Sequence, residues 1–186
     1  MNFNEHSELK GLHAFLSPSK YHWVNYPPEK VDIAYRRSLA AQKGVILHAY
    51  AEMSISLGQK LPRTKQTLNM FVNDAIGYGM EPEVILHYSD NAFGTADAIS
   101  FRKNKLRVHD LKTGETPVSF TQLEVYAALF CLEYKYKPND ISMELRIYQN
   151  DEVLIHEPDP LTIQEIMGKI ISYDKIIETV KIEEGM

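Results

Sequence analysis

The chain has 186 residues and a formal net charge of −5, from 20 Lys and Arg against 25 Asp and Glu. Its 44% hydrophobic and 24% charged residues exclude a disordered or low-complexity chain and predict a packed core. The single cysteine, Cys131, excludes intramolecular disulfides and a four-cysteine iron–sulfur cluster. The N-terminal sequence lacks the pattern of a signal peptide and no apolar run has the length of a membrane span, so we expect a soluble, cytoplasmic protein without membrane partners.

In chain order, the pattern first predicts helices. Ser17-Pro18 predicts the start of a short helix, and Pro27-Pro28 predicts its end. Residues 29–57 favour a long helix, in which Gly44 predicts a break or a close backbone contact. Apolar residues at helical spacing predict a second helix over 64–76.

After Gly79 the pattern changes to short strands that form an antiparallel meander. These predicted strands span residues 83–88, 94–101 and 105–111. A turn is expected at 102–104, where Asn104 can adopt a left-handed conformation.

A strongly apolar helix is predicted over 119–134, buried on most faces, with Ser119 and Gln122 at the spacing of a capping box. Two further strands, 141–148 and 153–156, precede a closing amphipathic helix from 161 to about 182.

This order of elements indicates an α/β or α+β sandwich, with a central mixed sheet of about five strands flanked by helices. No linker or repeat is evident, which predicts one domain over 1–186. Its parts would be a mainly helical region 1–79, a sheet core with the buried helix 80–157, and a C-terminal helix 158–186.

Two acidic strand segments carry the main chemical signal, Gly94-Thr-Ala-Asp97 and Asp110-Leu-Lys112-Thr-Gly114. Because side chains alternate along a strand, Asp110 and Lys112 should share one face, and Asp97 on the adjacent strand would add a second carboxylate. Converging carboxylates suit Mg²⁺ or Mn²⁺. The alternative is a structural ion pair between Asp110 and Lys112, with Asp97 capping a turn.

Together with two further blocks, these segments resemble the PD-(D/E)XK nuclease superfamily, and most closely its RecB-like and phage-associated branch. The resemblance spans roughly residues 16–130. Its blocks, in the order of the family, are Gly44-Val-Ile-Leu-His48-Ala-Tyr-Ala-Glu52, Gly94-Thr-Ala-Asp97, Asp110-Leu-Lys112-Thr-Gly114 and Gln122-Leu-Glu-Val-Tyr126-Ala, after an opening segment from Leu16 to Trp23.

The resemblance implies a restriction-endonuclease-like core and a role for each matched residue. His48 and Asp97 would be metal ligands, Asp110 would be the central ligand, and the backbone carbonyl of Leu111 would complete the site around one or two Mg²⁺ or Mn²⁺ ions. Lys112 would orient the attacking water and, with Asp97 and Asp110, form the catalytic set. The alternative for His48 is a hydrogen-bonded core histidine.

Four further residues have both a functional and a structural interpretation. Glu52 lies one helical turn after His48 and would either support the metal ligands or be a plain surface carboxylate. Glu83 stands where related nucleases often carry an acidic residue on the first strand, or merely follows a proline. Gln122 and Tyr126 would contact substrate, or serve as a helix cap and as core packing, respectively.

Basic residues in two regions are candidate DNA contacts. The alternative is a solvated charged surface. The proposed contacts are Arg36, Arg37, Lys43, Arg102, Lys103 and Lys105, and the same two basic regions also contain Arg63, Lys65 and Arg107.

From these residues we expect a metal-dependent DNA nuclease, with exonuclease activity in phage-type replication, recombination or repair, located in the host cytoplasm if phage-encoded. Its partners would be single- or double-stranded DNA and, since the chain has no helicase motor motif, a second copy or a recombination or replication protein. The rival hypothesis is a non-catalytic DNA- or protein-binding module that retains the nuclease fold.

Overall fold

The computed structural model describes Ser7 and residues 14–114 and 116–185. In it, five strands form one mixed sheet in which the strands lie in the order of the sequence. The strands are β1 (Glu81–Ser89), β2 (Ala92–Arg102), β3 (Lys105–Leu111), β4 (Ser142–Gln149) and β5 (Glu152–His156). The helices are α1 (Pro28–Ser56), α2 (Thr67–Tyr78), α3 (Thr121–Tyr134) and α4 (Pro160–Glu183), with 3₁₀ helices at Pro18–Asn25 and Pro138–Asp140. The α+β sandwich with a central five-stranded mixed sheet is therefore confirmed.

The chain divides into two compact units, Met1–Lys43 and Gly44–Met186. Within the first unit, the indole N–H of Trp23 donates to the carbonyl oxygen of Ser17 at 3.0 Å. The sheet and the helices α2 to α4 belong to the second unit. The single-domain interpretation stays a prediction. None of the helices in the described part of the chain is long and apolar enough to cross a membrane.

The connections between strands explain the mixed topology. Strands β1, β2 and β3 are antiparallel, β3 and β4 are parallel, and β4 and β5 are antiparallel. Two tight turns have left-handed backbone at Lys103 and Asn104 and at Asn150 and Asp151, a conformation that Asn and Asp tolerate. The parallel pair needs a long crossover, and α3 lies in that crossover.

One core lies between the sheet and α3. Leu106 and Val108 of β3 and Leu123 of α3 are fully buried in it, and α3 is buried on most faces as expected. Cys131 of α3 is fully buried in the same core, and burial raises the pKa of its thiol to about 11. Each large apolar side chain buried here contributes about 1.5–3 kcal/mol of transfer free energy.

A second core lies on the opposite side of β3. Ala51 and Ile55 from α1 and Phe71 from α2 pack in it with Leu111 of β3 and Tyr148 of β4. The sheet is therefore covered on both faces, and the C-terminal end of β3 lies between the two cores.

Glu144 of β4 is surrounded by basic side chains. Lys105 Nζ donates to it at 2.6 Å, and the guanidinium groups of Arg107 and Arg146 approach it to 3.3 and 3.0 Å. Burial alone would raise the pKa of Glu144, but the hydrogen bond from Lys105 and the charges of Arg146, Lys105 and Arg107 lower it. The ionised carboxylate therefore stabilises the folded state.

Replacing this carboxylate should destabilise the protein in a pH-dependent way. We expect Glu144→Gln to lower the free energy of unfolding by about 2 kcal/mol at pH 7. Because the folded pKa is depressed, this difference should disappear as the pH falls through it, where the wild-type carboxylate is also neutral. Urea denaturation at pH 7 and at about pH 3 measures it, with the exposed Glu152→Gln as control. A loss that is equal at both pH values would contradict the assigned charge effect.

Candidate active site

Three carboxylates lie on adjacent strands at one level of the sheet. In the β1–β2 pairing, Pro82 lies opposite Ala98 and Val84 opposite Ala96, so Glu83 lies opposite Asp97. The β2–β3 register, extended by one residue, brings Asp97 opposite Asp110. Since neighbouring strands are about 4.8 Å apart, Glu83, Asp97 and Asp110 form a row across β1, β2 and β3.

The strands are irregular at this row. Glu83 has a backbone φ of 50°, which is rare for a residue other than Gly, Asn or Asp. On β2, Ala96 packs in the α3 core whereas Ala98 packs in the α1 and α2 core, so the alternation of side chains is broken between them, at Asp97. Sparsely populated backbone of this kind costs of order 1–3 kcal/mol and is concentrated at functional sites.

His48 of α1 joins the row at Asp97. Its Nδ1 lies 3.5 Å from Asp97 Oδ1, while Asp97 Oδ2 accepts the backbone N–H of Leu111 at 2.8 Å. The hydrogen bond to Asp97 raises the pKa of His48; burial opposes this, and the charges of Asp97, Glu83 and Asp110 reinforce it. The imidazole is thus held against a concentration of negative charge.

Gly44 allows α1 to come this close to the end of β3. A Cβ at this position would lie 2.8 Å from Thr113 Oγ1, closer than real Cβ contacts. The helix continues through Gly44 without a break, so of the two alternatives read from the sequence the close contact is the one observed. His48, one turn later, thereby reaches the carboxylate row.

Asp110 is the most buried carboxylate of the row, with 3% of its surface exposed. Lys112 Nζ donates to its Oδ1 at 3.0 Å, whereas its buried Oδ2 has no hydrogen-bond partner among the described residues. Burial and the charge of Asp97 raise the pKa of Asp110, against the opposing effect of Lys112 and His48. Lys112 therefore compensates this buried charge only in part.

Lys112 also connects the row to α3. Its Nζ donates to Gln122 Oε1 at 2.9 Å, and Gln122 Nε2 donates to the hydroxyl of Tyr126 at 3.3 Å. The predicted capping box is wrong, because Phe120 is the N-cap of α3 and Ser119 Oγ accepts the N–H of Thr121 rather than that of Gln122. The amide of Gln122 binds the charged ammonium instead, a stronger partner than a neutral backbone N–H.

The set of donor atoms fits a divalent cation. His48, Glu83 and Asp97 each offer a ligand atom within 4.8 Å of the other two. Opposite ligands of one ion are separated by twice the bond length, about 4.2 Å for Mg²⁺ and up to about 5 Å for Ca²⁺. Carboxylate oxygens suit both Mg²⁺ and Mn²⁺, and the imidazole nitrogen of His48 favours Mn²⁺ over Mg²⁺. The unpartnered oxygen of Asp110 lies next in the row.

Of two other predicted site residues, Glu52 is exposed and Leu111 is buried. Glu52 is exposed, one turn beyond His48, and its charge contributes to raising the pKa of Glu83, after burial and the charge of Asp97. Leu111, the predicted carbonyl ligand, is buried and fixed by its N–H bond to Asp97. The sequence had not indicated that Gln122 binds Lys112, since no spacing rule relates a loop lysine to a helical amide.

Three of the candidate DNA contacts lie away from the carboxylate row. Lys105 is five residues before Asp110 on β3, roughly 17 Å along the strand, and is bonded to Glu144. Arg102 and Lys103 belong to the adjoining end of β2 and its turn. The other three candidates belong to the unit Met1–Lys43; they are Arg36, Arg37 and Lys43. DNA binding by these six residues stays a prediction.

Comparison of the chain with protein-family models, with curated proteins and with solved structures found no match.

Removal of the charge of Asp110 should not destabilise the metal-free protein. Asp110→Asn keeps an acceptor for Lys112 and relieves both the burial of a charge and the repulsion from Asp97. In EDTA at pH 7 we expect an unchanged or higher melting temperature than wild type. Because the folded pKa is raised, any gain should vanish at about pH 3, where the wild-type carboxyl is neutral in both states.

Thermal unfolding followed by circular dichroism checks this, with Asp90→Asn as the matched control, since the side chain of Asp90 is 96% exposed. A large drop in melting temperature for Asp110→Asn alone would instead assign the ion pair with Lys112 a mainly structural role.

Proposed function

We propose that this chain is a metal-dependent nuclease that hydrolyses phosphodiester bonds in DNA, with exonuclease activity in phage-type replication, recombination or repair. One observation supports this most strongly. The carboxylates of Glu83, Asp97 and Asp110 form a row across adjacent strands beside the imidazole of His48, and the most buried carboxylate is paired with the ammonium of Lys112. The resemblance of the same residues to the PD-(D/E)XK nucleases, RecB-like branch, supports it independently of the geometry.

The metal ligands in this proposal are His48, Glu83, Asp97 and Asp110. A bound Mg²⁺ or Mn²⁺ supplies Lewis-acid stabilisation of negative charge on the phosphate oxygens. Asp97 is fixed before the ion binds, since Leu111 and His48 hold it. Such preorganisation reduces the cost of ordering ligands when the ion binds.

Lys112 has a separate role. Its ammonium has three N–H donors, of which one is used on Asp110 and one on Gln122. Among the described residues the third donor has no partner, so it can orient the attacking water or bind a phosphate oxygen. Negative charge grows on these oxygens as water adds to phosphorus and the bond to the leaving oxygen breaks, and a fixed cation stabilises that charge. Gln122 and Tyr126 hold the ammonium in place.

A second candidate function is a non-catalytic DNA- or protein-binding module. The observation that favours it is the direct ion pair between Lys112 and Asp110, which is also the geometry expected of a structural pair. The discriminating experiment incubates purified protein with end-labelled linear DNA, single- and double-stranded, in Mg²⁺, Mn²⁺ or EDTA. Covalently closed circles are included, because an exonuclease requires an end. Metal-dependent cleavage supports the nuclease; no cleavage of any substrate supports the module.

Metal binding should depend on the carboxylate row. We expect isothermal titration calorimetry to detect Mn²⁺ binding by wild type, and Asp97→Asn or Asp110→Asn to abolish it, because each removes a charged oxygen ligand. Asp90→Asn, which changes net charge equally at an exposed site, should bind Mn²⁺ as wild type does. Undiminished binding by both row variants would contradict the ligand assignment.

Lys112 should affect cleavage rate more than DNA binding. If its ammonium stabilises charge that develops only as water attacks, Lys112→Ala should lower the cleavage rate by roughly a hundredfold or more. DNA affinity measured in Ca²⁺ should change much less. Single-turnover cleavage in Mn²⁺ and anisotropy in Ca²⁺ separate the two quantities, with the exposed Lys137→Ala as control. Normal cleavage by Lys112→Ala would remove this residue from the mechanism.

A further inference from the structure

A basic loop connects α1 to α2, over residues 57–66. It carries three exposed cations, Lys60, Arg63 and Lys65. Among the described residues, no carboxylate lies within salt-bridge distance of any of them. The cations near the β2–β3 turn differ, because Lys105 and Arg107 are both paired with Glu144. The basic loop is thus a concentration of uncompensated positive charge on a chain of net charge −5.

Side chains of α2 hold this loop in one conformation. Asn73 accepts the backbone N–H of Leu61 at 2.9 Å and donates to the Leu61 carbonyl oxygen at 3.0 Å. Asn69, which is 8% exposed, donates to Thr64 Oγ1 at 2.8 Å and to Gln66 Oε1 at 3.2 Å. Two of these hydrogen bonds hold the backbone of Leu61, between Lys60 and Arg63, and two hold the side chains on either side of Lys65. A loop held in this way has a lower entropy cost of binding a ligand.

The loop borders a cavity of about 590 Å³ that the three cations line. Asp74 lies on the same lining, but its carboxylate is already engaged by Arg146 Nη1 at 3.0 Å and by the hydroxyl of Tyr148 at 2.8 Å. The free charges facing this cavity are therefore positive. A ligand with repeated negative charge fits it better than an apolar one.

The position of the loop relates it to the active site. Lys65 is two residues before Thr67, so their Cα atoms are at most about 7.6 Å apart. Thr67 and Leu68 line a second, smaller cavity together with Lys112 and Thr113. The basic loop and the cavity at Lys112 are therefore next to one another along the chain, at the start of α2.

We propose that the basic loop binds the phosphate backbone of the nucleic acid strand that the active site cleaves. This inference rests on the proposed nuclease function and adds the surface that holds the substrate. Contacts of Lys and Arg to phosphates position a strand without reading its bases, so binding by this loop is independent of sequence. It is also salt-dependent, because each phosphate contact releases condensed counterions.

The test compares two triple variants with the same change in net charge. One carries Lys60→Gln, Arg63→Gln and Lys65→Gln; the control carries Lys137→Gln, Lys169→Gln and Lys175→Gln, three exposed lysines elsewhere in the same unit. Affinity for labelled oligonucleotides is measured by anisotropy in Ca²⁺ over a series of NaCl concentrations. Melting temperatures verify that both variants are folded.

We expect the loop variant to bind at least tenfold more weakly at 50 mM salt. Its slope of log K against log salt should be less steep by about 2 for single strands and about 3 for duplexes, the effect of three lost contacts. The control should bind as wild type does. In cleavage assays the loop variant should show a raised KM and an unchanged kcat, since the carboxylate row is intact.

Equal affinity and slope in the loop variant and the control would overturn the inference, and so would an equal loss in both. If wild type binds and cleaves DNA while the loop variant matches it, only the role of the loop is refuted. A wild type that neither binds nor cleaves any DNA refutes the proposed function, and the inference with it.

Discussion

The side chain of Asp110 is a carboxylate from which water is almost completely excluded, and much of the surrounding structure compensates its charge. Its desolvation penalty amounts to several kcal/mol unless a partner offsets it. Lys112 supplies that partner two residues later, just beyond the end of β3, and Gln122 of the buried helix fixes the ammonium. Helix α3 therefore packs against β3 and also holds the side chain of Lys112 in place. Within the part of the chain that the structure describes, one oxygen of Asp110 has no hydrogen-bond partner, so the compensation is incomplete without a further positive charge.

Regular elements of the fold could be predicted from local pattern. The observed bounds of β3 are those predicted, because side-chain alternation and the left-handed turn at Lys103 and Asn104 both mark it. The first turn of α3 could not be predicted, because the partner of Gln122 is a lysine in a different element. Competition between a backbone donor and a distant ammonium is a tertiary effect, and spacing within a segment carries no information about it.

The pairing of Glu83 with Asp97 also could not be predicted from the local sequence pattern. Ser89 pairs with Ala92 at the β1–β2 turn, and that register, continued, would bring Val84 opposite Asp97. A register shift between the turn and the rest of the hairpin moves β1 by one residue, so Glu83 takes the place instead. A register shift of one residue changes every pair of side chains that lie opposite one another on the two strands. Bulges of this kind have no reliable sequence signature. The carboxylate row thus depends on an irregularity some six residues away.

Because Cys131 is buried, the reactivity of its thiol reports on motions that open the core. With the thiol enclosed in the α3 core and its pKa raised, the reactive thiolate is scarce while the core is closed. Because the chain has no other cysteine, the rate of alkylation follows the population of states in which α3 separates from the sheet. Ligands that bind at the end of β3 would be detected as slower alkylation at a remote position, without any attached label.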